Sequence, residues 1–171
     1  MTEHARYAFR GLSDGALSVT GVIIGAYGAG AEVIVSAGLT GALANGFSNM
    51  LAAFSAEQAS LTKGLRELEE SLLFSLENTI KGEEIRAAVR KGAFIDGIST
   101  IIGGVIPVIS FIFLREGAAL AASLTLTIII FAALGVYTGK LTRGSIFLSG
   151  AKMSLFAAFT ALICYLAQYL F

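Results

Sequence analysis

The chain has few of the residues that most often build catalytic and metal centres. Its only cysteine is Cys164 and its only histidine is His4, which excludes an internal disulfide, a thiolate metal cage and a histidine-rich zinc motif. His4 sits in the short polar lead and reads as inert. Charge is also scarce. Charged residues make up 14% of 171 residues against 56% hydrophobic, and the mean hydropathy is +0.79, more apolar than a soluble domain can bury. The glycine-rich "GAYGAGAE" (25–32) has no strand before it, so it does not read as a phosphate-cradling loop. No acid, base and nucleophile set converges, and an enzyme is not expected.

Long uncharged runs take the place of those missing features. No charge occurs between Asp14 and Glu32, Glu32 and Glu57, Asp96 and Arg115, Glu116 and Lys140, or after Lys152. Each run can cross a hydrocarbon core, which takes about 20 residues of helix. The expected fold is therefore all-α: a polytopic membrane protein with five transmembrane helices and a short cytoplasmic helical insert. The organisation read from these breaks is a polar lead with a first transmembrane hairpin over 1–60, a glutamate-bearing insert over 61–92, and helices three to five over 93–171.

The basic residues give this pattern a side. Arg6, Arg10, Lys63, Arg66, Lys81, Arg86, Arg90, Lys91, Lys140, Arg143 and Lys152 fall in one set of connections and only Arg115 in the other, which puts the N-terminus in the cytoplasm and the C-terminus outside. The basic residues thus read as membrane flanks, and no nucleic-acid partner is expected. A cleavable signal peptide ending at "AYGAGA" (26–31) is disfavoured because Asp14 interrupts the apolar region.

Two segments repeat. "SDGALSVTGVIIG" (13–25) and "IDGISTIIGGVIP" (95–107) match at a constant offset of 82 residues, with Asp14, Ser18, Gly21 and Gly25 opposite Asp96, Thr100, Gly103 and Pro107. Both copies start on the same side, which suggests a parallel duplication of helical hairpins. At about 100° per residue each set forms one narrow polar-to-small stripe. The stripes can serve close packing, for which Gly11-x-x-x-Gly15 and Gly21-x-x-x-Gly25 are suited, or can line a path with a carboxylate at its mouth. Asp14 and Asp96 likewise have two readings: caps of helix N-termini, or carboxylates within a span, which are expensive there and mark ion or proton paths.

Helix two is the most polar span. Asn45 and Asn49 share a face and must be satisfied by another helix, water or a ligand, while Met50 is core packing or a soft metal ligand. In the insert, Leu61, Leu65, Leu68 and Leu72 follow an amphipathic helical pattern, and helix two is expected to run on into it. Glu67 and Glu70 lie one turn apart, and Glu70, Glu77 and Glu84 recur every seven residues. Such oxygen-rich groups suit hard or borderline divalent cations; a solvated face with a Lys63–Glu67 pair is the alternative.

Together, "GLSDGALSVTGVIIGAYGAG", "GLTGALANGFSNMLAAFSAEQAS", the glutamate-bearing insert and "GAFIDGISTIIGGVIPVISFIF" resemble the vacuolar iron transporter family over about residues 10 to 170. The resemblance implies a homodimer of five-helix subunits that moves Fe²⁺ or Mn²⁺ out of the cytosol in exchange for protons, with the metal as cargo and no tightly bound cofactor. It gives Asp14 the place of the first-helix aspartate on the ion path. Where such proteins show Ser-Met followed by Gly-Glu in helix two, "SNMLAAFSAE" (48–57) differs. Asn49 or Met50 takes the methionine place, Ala53 or Phe54 the glutamate place, and Glu57 is a displaced substitute. The expected path residues are Asp14, Ser18, Asn45, Asn49, Met50 and Asp96; the expected metal ligands are Asp14, Met50, Glu57, Glu67, Glu70, Glu77 and Glu84. The expected setting is a bilayer, that of a prokaryotic cell membrane. The rival expectation is a non-transporting scaffold or regulatory subunit whose insert docks a partner.

Overall fold

The computed structural model describes residues 3–72, 80–168 and 170. Every regular element among them is an α-helix: α1 (Glu3–Gly25), α2 (Ala31–Leu72), α3 (Ile80–Phe113), α4 (Glu116–Leu141) and α5 (Ile146–Gln168). The expected all-α architecture with five main helices is thus observed. Three stretches are both long and apolar enough to cross a bilayer, Glu83–Phe113, Gly117–Leu141 and Ile146–Gln168. α1 and α2 have the length but not the apolarity, because α1 carries Arg6, Arg10 and Asp14, and α2 carries Glu32, Asn45, Asn49 and Glu57.

α2 continues without a break from the apolar region into the arm at 61–72, as its sequence suggests. Its 42 residues extend about 63 Å at 1.5 Å per residue, about twice the ~30 Å hydrocarbon thickness. The organisational boundaries at 60/61 and 92/93 fall inside α2 and α3. The described parts of the insert are therefore outward extensions of these two helices.

Short turns join α1 to α2, α3 to α4 and α4 to α5. Gly28 and Gly30, with φ of +95° and +96°, make the α1–α2 turn in a backbone region that only glycine adopts without penalty. α1 and α3 lie side by side and parallel: Gly92 sits against the Tyr7 ring, Gly11 against Ser99, and Gly15 against Thr100 and Gly104. A methyl group on Gly15 would overlap the Thr100 carbonyl, and one on Gly103 would overlap the Leu12 carbonyl, so glycine permits the approach. This is the small-residue contact expected of Gly11 and Gly15. Gly21 and Gly25 do not share it: a methyl group on Gly21 would meet only the Cys164 sulfur, at an ordinary 3.5 Å, and Gly25 faces open space. The reason is phase, since ten residues turn Gly21 and Gly25 about 80° away from Gly11 and Gly15, toward α5, while Val19 and Ile23 keep the contact of that end of α1 with α3.

α2 runs antiparallel to α3 through Gly46 and Gly97. An apolar cluster of Val19, Ile23, Ile34, Ala42, Val108 and Phe111 joins α1, α2 and α3. A second one ties Ala16 of α1 to Phe131 of α4 and Ala157 of α5. Pro107 lies within α3, where its missing N–H leaves a gap in the helical ladder. The outside of the bundle is strongly apolar: Phe113 is 78% and Phe147 86% exposed, which suits lipid and not water.

Candidate functional site

Asp14 and Asp96 both lie in mid-helix, eleven or more residues past the start of their helices. Neither caps an N-terminus, because α1 and α3 begin well before the apolar runs. Each carboxylate is instead held by a different neighbour.

Asp96 is 1% exposed and is gripped in two-pronged fashion by Arg10, whose Nε donates to Oδ1 at 3.1 Å and Nη2 to Oδ2 at 2.7 Å. A buried carboxylate without such a partner would be prohibitively costly. Arg10 projects from α1 one turn before Asp14 and crosses the glycine seam to reach α3. Its side chain is 54% exposed, so the pair joins the interior to the outside. Tyr7 packs beside it, with the Arg6 and Arg10 guanidinium carbons 5.3 and 5.6 Å from its ring centre. Burial raises the Tyr7 phenol pKa, and the nearby Glu57 adds to the shift.

Asp14 is half-buried and faces α2. Its Oδ2 accepts hydrogen bonds from Asn45 Nδ2 at 2.8 Å and Asn49 Nδ2 at 2.7 Å. Asn45 also reaches Ser18 Oγ at 3.2 Å, and Asn49 also donates to Thr100 Oγ1 at 3.0 Å. Thr100 in turn donates to the Asp96 carbonyl at 2.8 Å. One chain of polar contacts therefore links the two repeated segments through α2. Asp14 Oδ1 accepts none of these bonds, and Asp14 lines a recess of about 320 Å³ together with Arg10, Asn49, Asp96 and the alanines 52, 53 and 56. The alanines leave the space that longer side chains would fill.

The other expected residues lie elsewhere. Met50 touches Gly97 and faces an apolar groove with Phe47, Leu51 and Phe94, on the opposite side of α2 from the amides. Of the two residues considered for the methionine place, Asn49 is the one at the recess; of those for the glutamate place, Ala53 is. Glu57 pairs with Arg6 at 3.3 Å and does not line the recess. Glu67, Glu70 and Glu84 are exposed on the arms, with Glu67 3.9 Å from Lys63, and Glu77 is outside the described residues. Among the described residues no three Asp, Glu, His or Cys side chains stand close enough to hold a metal ion. The residue that sequence reasoning missed is Arg10, counted only as a flank. The signal was its position four before Asp14, on the face that the repeat turns inward.

A family model described as the VIT family matches residues 54–169. A protein of Methanocaldococcus jannaschii named only as uncharacterised is 43% identical over 168 residues, covering 95% of this chain and 87% of that one. The chain belongs to the VIT family. VIT-family membership and the apolar helices make it an integral membrane protein of a family associated with metal-ion transport. The matched VIT segment starts inside α2, after Asn45 and Asn49, so it includes Asp96 but not Asp14.

Proposed function

We propose that the chain exports a divalent metal ion, Fe²⁺ or Mn²⁺, from the cytosol in exchange for protons, and that Asp14 binds the two cations in turn. The observation that carries this reading is the Asp14 carboxylate, mid-helix and lining the recess, with one oxygen held by two amides and the other taking part in none of these bonds. Asp96 is already neutralised by Arg10, so Asp14 supplies the uncompensated negative charge. An entering cation meets Asp14 Oδ1. Rotation of the Asn45 and Asn49 side chains would then exchange N–H donors for carbonyl oxygens, and with the Ser18 and Thr100 hydroxyls the site would offer only oxygen ligands. Such ligands suit Mn²⁺ and Fe²⁺ better than soft metals. Protonation of Asp14 competes with the metal, which couples the two fluxes.

Two further features support five membrane spans and a homodimer. α1 runs beside α3 from Gly92 to the level of Gly117, which faces the Tyr27 hydroxyl, and Gln168 Nε2 bonds to the Tyr27 carbonyl at 3.4 Å. A bilayer that contains α3, α4 and α5 therefore takes in α1 as well, and α2, which lies along α3 from Gly38 beside Val108 to Gly46 beside Gly97, with the N-terminus cytoplasmic and the C-terminus outside by the charge asymmetry. On α2, Ala44, Ser48, Ala52 and Ser55 form an exposed face of small and polar side chains. It suits a second copy better than lipid, and the partner would add a second Asp14 to balance the double charge. The scaffold reading draws on the exposed glutamates of the arms alone.

The test is flux into liposomes containing purified protein, with Fe²⁺, Mn²⁺, Zn²⁺ and Co²⁺ compared with and without a pH gradient. Asp14→Asn, which keeps shape and removes charge, is expected to lower Fe²⁺ or Mn²⁺ flux at least about tenfold while the circular dichroism spectrum is unchanged. Undiminished flux removes Asp14 from the mechanism; no flux of any metal by the unaltered protein favours the scaffold.

A further inference from the structure

Two adjoining grooves between α2 and α3 lie on the side of α2 facing away from Asp14. At 100° per residue, Phe47, Phe54 and Leu65 point about half a turn from Asn45 and Asn49. The outer groove, about 390 Å³, is lined by Arg66, Arg86, Arg90 and Glu69, three guanidinium groups to one carboxylate. The inner groove, about 340 Å³, is lined by Phe47, Leu51, Phe54 and Phe94, and both grooves share Phe54 and Arg90. Among the described residues Arg66 and Arg90 have no carboxylate within ion-pair distance.

We infer that this continuous cleft binds an anionic phospholipid. Its phosphate would sit among Arg66, Arg86 and Arg90, and one acyl chain would lie along Phe47, Phe54 and Phe94. The cleft changes from basic to apolar at Arg90, and Arg90 and Lys91 are the last basic residues before the apolar part of α3, which is where a bilayer changes from headgroup to hydrocarbon. Basic pockets between membrane helices select anionic headgroups in this way, and the arginine fork suits a phosphate. The net positive charge disfavours a zwitterionic lipid relative to an anionic one. A second copy of the chain is a poorer match, because the small face of α2 at Ala44, Ser48, Ala52 and Ser55 is turned about a quarter turn from Phe47, Phe54 and Leu65 and carries no acidic group to meet the arginines.

The test is to purify the protein from vesicles of equal phosphatidylglycerol and phosphatidylcholine content and to measure retained lipid by native mass spectrometry. Phosphatidylglycerol is expected in about tenfold excess. The excess should vanish in R66Q/R90Q and persist in K140Q/K152Q, which loses the same charge elsewhere on the surface. Equal retention of both lipids, an excess that survives R66Q/R90Q, or the same loss in the control variant overturns the assignment. Displacement of the lipid by soluble glycerophosphate at equal concentration would show an anion site without an acyl groove and overturns the lipid reading too. A change in oligomeric state with unchanged lipid retention in R66Q/R90Q would instead assign the cleft to a second copy.

Discussion

Arg10 and Asp96 show how one residue can decide the character of a site. Removing Arg10 leaves a buried carboxylate unpaired, a change that costs about 3–5 kcal/mol when both partners are fully buried. Because Arg10 is half open to water, Arg10→Ala should cost less, about 2 kcal/mol, seen as a lower melting temperature in detergent. R10A/D96N, which removes both charges, should recover most of that loss, and the double-mutant cycle completed by D96N isolates the pair. A double variant less stable than R10A would show that the charge pair itself holds α1 to α3. The carboxylates and amides were legible in the sequence because polar groups stand out in apolar runs. Their partners were less so: Arg10 and Asp96 are 86 positions apart, and only the packing of α1 on α3 brings them together. Thr20 and Thr127, whose hydroxyls meet at 2.7 Å, were missed for the same reason.

At the scale of elements, the seam between α1 and α3 is set by glycine. Gly15→Ala forces a methyl group into the Thr100 carbonyl and should destabilise by about 1–3 kcal/mol, whereas Gly25→Ala, with open space beside it, should change the melting temperature little. Equal effects from the two substitutions would contradict the seam. Helical periodicity and the repeat made the helices and the parallel relation of α1 to α3 readable beforehand. Periodicity does not reveal which of two glycine pairs meets another backbone, since both pairs have the same spacing and only the packing shows which of their two faces, about 80° apart, is turned to α3. The limit of the insert was unreadable for a related reason: the leucine pattern of the arm continues the period of α2, so the helix carries no local sign of where the membrane ends.

For the whole molecule, the question is how many helices the bilayer encloses. Composition singles out three helices, while the level of Tyr27 beside Gly117 and Gln168 argues for five. In a Cys164→Ala background, Ala29→Cys should react with an impermeant thiol reagent from outside the cell and Lys63→Cys only after the membrane is opened. Labelling of both from the same side would exclude the five-span arrangement. Likewise Ser48→Cys, on the small-residue face, should cross-link to its copy in membranes, whereas Phe113→Cys, on the apolar outside, should not. The sequence made the membrane class and the charge asymmetry plain, but polar spans look unfit for lipid until their neighbours are known.

The unbroken course of α2 has a mechanical consequence. A helix without a joint behaves as an axle, so a twist applied to its outer end near Leu72 turns Asn45 and Asn49 by nearly the same angle. Whatever grips the arm outside the bilayer therefore also steers the amides away from or toward Asp14, with no intervening messenger.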